Sequence, residues 1–375
     1  MLPDDVKIID VDAHVLEPAG VWVDRLPKKL REAGPRIEER SDHSLTWVFE
    51  GRDRGFGMVG SPQTQRFRRD GMGDDFLVRH YDDIVPAAFD PRARLEALDL
   101  DGVWAQASFP SFPRFSGTGF LDTQDKGLAL LCVQAYNDWM IDEWCAVDPE
   151  RLLSLVILPL WDAQLCVAEI ERVANKGAKS ISFPEHPVPL GLPSFWTGYW
   201  DPVFAAMQDA DVPICTHIGT QGALTSPSPE SAEEVVYSLA SLNAMGSVSD
   251  LIFAGVFTRF PGLKFVLSEA GGGWVPYMRE RMDYTWRRVR RENKLPEAPS
   301  AVFRDHFWIC IIEDYAAIEM RHLIGVDRLL FETDFPHQDG NWPHSRKVLG
   351  DMVVDVPDDE IRQMAELNAR ELFKV

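Results

Sequence analysis

Cysteine is scarce in this chain. The five present, Cys132, Cys145, Cys166, Cys215 and Cys310, are odd in number and form no C-x-x-C pair. That excludes a disulfide scaffold and a thiolate-rich zinc site, and it fits a reducing compartment, so a cytoplasmic protein is expected. Long hydrophobic runs are missing as well. The longest apolar stretch, 152–161, is too short to cross a bilayer, and residues 1–9 do not read as a targeting signal. Positive charge is in deficit: 38 Lys+Arg stand against 59 Asp+Glu, a net charge of −21. Such a surface repels nucleic acid and anionic membranes, so neither is an expected partner. No repeat or low-complexity tract appears, and no Gly-rich dinucleotide fingerprint follows the first strand-like run.

What is present suits a large core. Hydrophobic residues make up 45% of the 375, with 12 Trp and 21 Phe, enough to fold without disulfides or a structural metal. Short β-branched runs at 7–12, 103–108, 153–158, 179–183, 213–217, 264–269, 307–312 and 328–333 read as strands. Longer amphipathic segments lie between them at 92–100, 125–146, 162–176, 199–210, 274–293 and 315–324. Eight strands alternating with helices predict an α/β fold, a (β/α)8 TIM barrel formed by residues 1–375 as a single domain. Two stretches break the alternation: a long insertion after strand 1, at 17–90, and a connection at 218–247. The first contains a hairpin around 44–57. Insertions that follow strand C-termini wall the active site of a barrel.

Acids and histidines fall at those strand ends. The first strand closes Asp10-Val11-Asp12-Ala13-His14, and strict alternation places all three polar side chains on one face. The fifth ends in His217 and the sixth in Glu269, followed by Ala270 and three glycines. The eighth runs Glu332-Thr333-Asp334-Phe335-Pro336-His337. Read alone, Asp10 and Asp12 could cap a turn and His217 could be a hydrogen-bonded core residue. An acid at the end of a buried strand is costly unless paired or metal-bound. Together, Asp12, His14, His217, Glu269, Asp334 and His337 form a candidate metal set, and Asp334, Glu269 and His337 are the candidate catalytic groups. Mixed imidazole and carboxylate ligands suit iron, manganese or zinc, and a carboxylate such as Glu269 could bridge two ions.

Over nearly its whole length the sequence resembles the amidohydrolase superfamily, in the branch that includes metal-dependent decarboxylases of hydroxylated aromatic acids. The resemblance places Asp12 and His14, His217, and Asp334 at the superfamily's ligand positions on the first, fifth and last strands. Asp12 stands where His or Glu is commoner, and Glu269 where many relatives carry His. Lys179 is misplaced for a carbamate bridge. The motifs Asp10 to Pro18, Ser268-Glu269-Ala270-Gly271 and Thr333 to His337 are similar to those of barrel-fold non-haem di-iron oxygenases. That resemblance implies a monooxygenase with two irons and dioxygen, an external electron donor and an apolar, terpenoid-like acyl-CoA substrate. A hydrolase or non-oxidative decarboxylase using zinc or manganese is the alternative.

A CoA thioester needs a basic patch. Arg66, Arg68 and Arg69 in the insertion, and Arg287 and Arg288 in the run after strand 6, are the candidates for phosphate contact. A solvated helix face is the plainer reading of the second cluster. Trp47, Phe49, Phe56, Phe109, Phe112, Phe115 and Trp196 are candidates to line an apolar pocket. A homodimer is the expected assembly.

Overall fold

The computed structural model describes residues 2–56, 79–289, 295–337 and 339–375. The chain enters β1 (Ile8–Val15), leaves it for an antiparallel sheet of β2 (Arg36–Glu39), β3 (Leu45–Phe49) and β4 (Arg52–Gly55), and returns as β5 (Val103–Pro110). Then follow β6 (Leu152–Leu153), β7 (Leu155–Val156), β8 (Ser180–Ser182), β9 (Ile214–His217), β10 (Phe265–Ser268), β11 (Phe307–Ile311) and β12 (Leu329–Phe331). These lie in the parallel order β6-β5-β1-β12-β11-β10-β9-β8-β7. Only Ser154 separates β6, which pairs with β5, from β7, which pairs with β8. The two are halves of one strand position, and the sheet closes into the expected eight-position barrel.

Alternation along the strands divides the core into two layers. Ile9, Val11, Ala107, Leu155, Cys215, Val266, Cys310 and Leu330 fill the barrel, with Leu372 and Phe373 joining them from the C-terminal helix. Their neighbours of opposite parity, among them Ile8, Ile214, Phe265, Ile309 and Phe331, pack under the surrounding helices. Cys215 is thus a small packed apolar residue. Helices Pro91–Asp101, Lys126–Trp139 and Ala163–Asn175 each start at an aspartate, Asp90, Asp125 or Asp162, whose carboxylate accepts two backbone N–H groups of the first turn.

Local differences from the sequence reading have physical causes. The helix read at 125–146 ends regularly at Trp139, where the chain widens into a π-turn over Met140–Trp144. The segment at 315–324 breaks at Met320 into Tyr315–Glu319 and Arg321–Ile324. Helices Pro299–His306 and Ser345–Met352 were not anticipated. In the insertion, Trp47, Phe49 and Phe56 do not line a pocket: they are buried, and Trp47 meets Trp22 at 5.1 Å and Phe112 at 4.8 Å between ring centroids. Trp196 is surface-exposed and donates to Asp250. Residues 233–253 are long and apolar enough to span a membrane by composition, but they divide into Glu233–Ser238 and Ser241–Phe253. The second helix buries Asn243, Ser247, Val248, Leu251 and Ile252 against the barrel.

Candidate metal centre

At the C-terminal mouth of the barrel, β1 gains one residue on β5. Asp10 pairs with Gln106 but Ala13 pairs with Ser108, so three steps on β1 match two on β5. This bulge reverses the alternation. Ile9 and Val11 face the barrel interior below it, and Asp12 and His14 face the interior above it. Asp10 does not share their face, contrary to the strict-alternation reading. Its buried carboxylate accepts from Gln106 Nε2 at 2.5 Å, the Thr333 N–H at 2.9 Å, the Asp12 N–H at 3.1 Å and the Thr333 hydroxyl. Burial lifts it to about 6 against those hydrogen bonds. Asp10 ties β1 to the strands on either side.

The other site residues converge. His14 Nε2 lies 3.5 Å from Asp12 Oδ1 and 3.0 Å from Asp334 Oδ1. His217 Nε2 lies 3.5 Å from Asp12 Oδ2 and 3.6 Å from Glu269 Oε2, and His337 Nδ1 lies 2.7 Å from Asp334 Oδ1. Ligand atoms of Asp12, His14 and His217 fall within 4.8 Å of one another, as do those of His14, Asp334 and His337. Two of these residues are held there by unusual backbone: Glu269 has φ 52° and Asp334 φ 50°, a left-handed conformation that costs non-glycine residues of order 1 kcal/mol or more. It turns both side chains at the point where a regular strand would end. Asp334 is further fixed by its N–H to the Asp12 carbonyl (2.9 Å), and His14 by its N–H to the Phe335 carbonyl (2.7 Å).

The donor set fits a cation. Asp12 is fully buried, and among the described residues neither of its carboxylate oxygens has a hydrogen-bond partner, nor does either ring nitrogen of His14 or Nε2 of His217. Buried polar atoms are rarely left so without a bound ion or water. His217 Nδ1 lies 2.7 Å from the Ile218 carbonyl. A carbonyl can only accept, so Nδ1 carries the proton and Nε2 offers a lone pair, the tautomer a metal needs. Burial lowers all three imidazoles: His14 far below its ordinary value, His217 to about 3 and His337 to about 4. They are therefore neutral near pH 7. Burial, followed by the charges of Glu332, Glu269 and Asp334, raises Asp12 well above the usual carboxylate range. A bound cation would reverse that balance.

Above the cluster opens a cleft of about 980 Å3. Helices 233–238 and 241–253 wall one side, as insertions at a barrel mouth do. Among the described residues, eight of the 17 that line it are Asp or Glu and none is Lys or Arg, a lining that favours a cation. Phe115 packs on His14 at 4.6 Å and on His217 at 4.3 Å, and Phe109 on the same rings at 5.8 and 5.0 Å, an apolar collar that keeps water from the imidazoles. One acid of the cleft, Glu332, and a second buried acid near it in the fold, Glu185, are absent from the candidate set read from the sequence. Glu332 lies two positions before Asp334 and shares its face, a signal the alternation carried; its carboxylate accepts the Glu269 N–H. Glu185, just past β8, is buried, held at about 8 chiefly by burial, and braces the loop that starts at Thr220. Nothing local in the sequence marks it.

The arginines fare differently. Arg66, Arg68 and Arg69 lie outside the described residues. Arg287 and Arg288 sit exposed in the last turn of helix Val275–Arg288 and do not line the cleft. A helix that follows a barrel strand runs back toward the opposite end, so its last turn is carried away from the mouth. Arg288 lies 4.3 Å over the Tyr284 ring instead.

The amidohydrolase family profile matches residues 9–375. The gamma-resorcylate decarboxylase of Rhizobium radiobacter is 26% identical over 305 residues, 75% of this chain and 86% of its own. An amidohydrolase from Mycobacterium avium subsp. paratuberculosis superimposes with a TM-score of 0.78 at 24% identity, covering 98% of this chain and 99% of its own. The 5-carboxyvanillate decarboxylase of Novosphingobium aromaticivorans, solved with manganese and a nitrobenzoic acid, gives 0.68 at 17% identity, covering 99% and 97%. These findings correct the expected di-iron monooxygenase. Two of the three are decarboxylases, a reaction that consumes no dioxygen and needs no electron donor, and the solved structure of one of these two holds manganese. Iron, an acyl-CoA substrate and an external reductant have no support among them. The wider resemblance holds, and the chain belongs to the amidohydrolase family.

Proposed function

We propose that the protein is a metal-dependent, non-oxidative decarboxylase of a small hydroxylated aromatic acid. The observation that carries this reading is the convergence of Asp12, His14, His217 and Asp334, with the first three presenting buried polar atoms that have no hydrogen-bond partner among the described residues. These four would hold one divalent ion, manganese or zinc by ligand type. When bound, the ion supplies the positive charge that orients an anionic substrate and spreads its charge. The rest falls to the chain. Glu269 reaches into the cleft with its side chain 15% exposed, where its carboxyl faces a substrate held over the cluster. As the bond to the carboxylate breaks, CO2 leaves and the electron pair stays on the ring carbon, which takes the proton of Glu269. Water in the cleft then restores that proton. His337, against Asp334, fixes the orientation of that carboxylate. Phe109 and Phe115 shield the floor from water.

The test is CO2 release, without air, from a panel including 2,6-dihydroxybenzoate and 5-carboxyvanillate, using protein stripped with chelator and reloaded with Mn2+ or Zn2+. Turnover that returns with metal and ignores oxygen supports the reading. Failure of the metal-loaded protein on the whole panel, or turnover that requires oxygen, overturns it.

A further inference from the structure

A buried cation lies directly behind the candidate ligands. Arg94, on helix Pro91–Asp101, has no solvent exposure, and each of its guanidinium nitrogens is engaged. Nε donates to the Ala87 carbonyl at 2.6 Å, Nη2 to the His14 carbonyl at 2.6 Å, and Nη1 to Gln106 Oε1 and, at 3.3 Å, to Ser108 Oγ. The guanidinium also stacks 4.5 Å over the ring of Phe335, the residue after Asp334. Gln106 relays the contact, its amide donating to Asp10, which in turn accepts the N–H groups of Asp12 and Thr333. One polar web therefore grips the backbone beside Asp12, His14 and Asp334, yet touches none of their side-chain ligand atoms.

We propose that Arg94 is a positioning residue for the metal centre, acting through the His14 main chain and Phe335 directly and through Gln106 and Asp10 onto Asp12 and Thr333. A planar fork is needed because four acceptors and an aromatic face surround the group at once; a lysine presents a single point charge that cannot reach them together. Burying a guanidinium is costly, and such a group in a core is compensated by full hydrogen bonding or by a task at a site. Partners behind a ligand shell are worth 10–100-fold in metal affinity. The inference rests on the metal-centre reading above.

The experiment titrates Mn2+ into chelator-stripped full-length protein, following free Mn2+ by electron paramagnetic resonance, and records the visible spectrum with Co2+. The variants are Arg94→Lys, Gln106→Met and, as a control for general loss of an arginine contact, Arg172→Lys, which pairs with Asp138 and Glu169. Arg94→Lys is expected to raise the Mn2+ dissociation constant 10–100-fold and change the Co2+ band. Gln106→Met shifts both in the same direction, and Arg172→Lys leaves both unchanged. If Arg94→Lys does not fold, Gln106→Met decides by the same criteria. Variants that bind Mn2+ within twofold of wild type, with an unaltered Co2+ band, overturn the inference while leaving the metal centre standing. A wild type that binds neither ion overturns the metal centre and the inference with it.

Discussion

Asp12→Asn separates the two roles of the buried cluster. In the metal-free protein, Asp12 is a fully buried carboxylate with no hydrogen bond at either oxygen and with Glu332, Glu269 and Asp334 around it. Leaving a buried polar group unsatisfied costs about 1–3 kcal/mol, and more for a charged one. Asparagine keeps the shape and removes the charge, so we predict that it stabilises the stripped protein by about 2 kcal/mol. Unfolding entropy is about 2.1 cal/mol/K per residue, which for a 375-residue chain is about 0.8 kcal/mol/K, and the gain corresponds to a rise in Tm of about 2–3 °C. Metal closes the gap. At a Mn2+ concentration about 100 times its dissociation constant, wild type gains about 2.7 kcal/mol, or 3–4 °C, whereas the variant has lost a ligand and gains under 1 °C. The pH dependence has a definite sign. The folded value of Asp12 is raised, so the native state holds the proton longer than the unfolded chain, and wild-type stability falls as pH rises above the unfolded value near 4. The advantage of the variant is therefore small at pH 4–5 and largest at pH 8. Differential scanning fluorimetry in chelator and in excess Mn2+, at pH 5 and pH 8, measures all of it. An Asp12→Asn protein no more stable than wild type in chelator at pH 8 refutes the reasoning.

Glu269→Gln should lower kcat by about 10²–10⁴-fold while Mn2+ affinity stays within a few-fold, because its proposed role is to supply a proton and it is not one of the four proposed ligands; titration calorimetry beside the CO2 assay separates the two. The acidic cleft should make aromatic acids bind only after metal: 2,6-dihydroxybenzoate is expected to bind the stripped protein at least tenfold more weakly than the Mn2+ form by calorimetry, with the gap narrowing at 0.5 M salt. Trp47→Ala should cost about 3–5 kcal/mol in urea unfolding, since it empties a fully buried aromatic site in the insertion.

The barrel was legible because its cause is local and periodic: β-branched runs of strand length alternate with amphipathic segments, and closure follows from their number and connection. The strand-end acids and histidines were legible for the same reason, since a parallel barrel delivers those ends to one mouth. Three things lay outside any local pattern. The bulge in β1 takes its register from β5, so alternation alone put Asp10 on the wrong face. Arg94 and Glu185 look like any charged residues in a helix and a loop; only closure of the barrel buries them and brings their partners in from distant segments. The direction of helix Val275–Arg288 decides that Arg287 and Arg288 point away from the cleft, whereas their basic run in the sequence suggested a phosphate. Sequence by itself determined the alternation of strands with helices and which side chains can bind a cation. Tertiary structure decided which of them meet, because register, burial and helix direction are set by contacts between residues far apart in the chain.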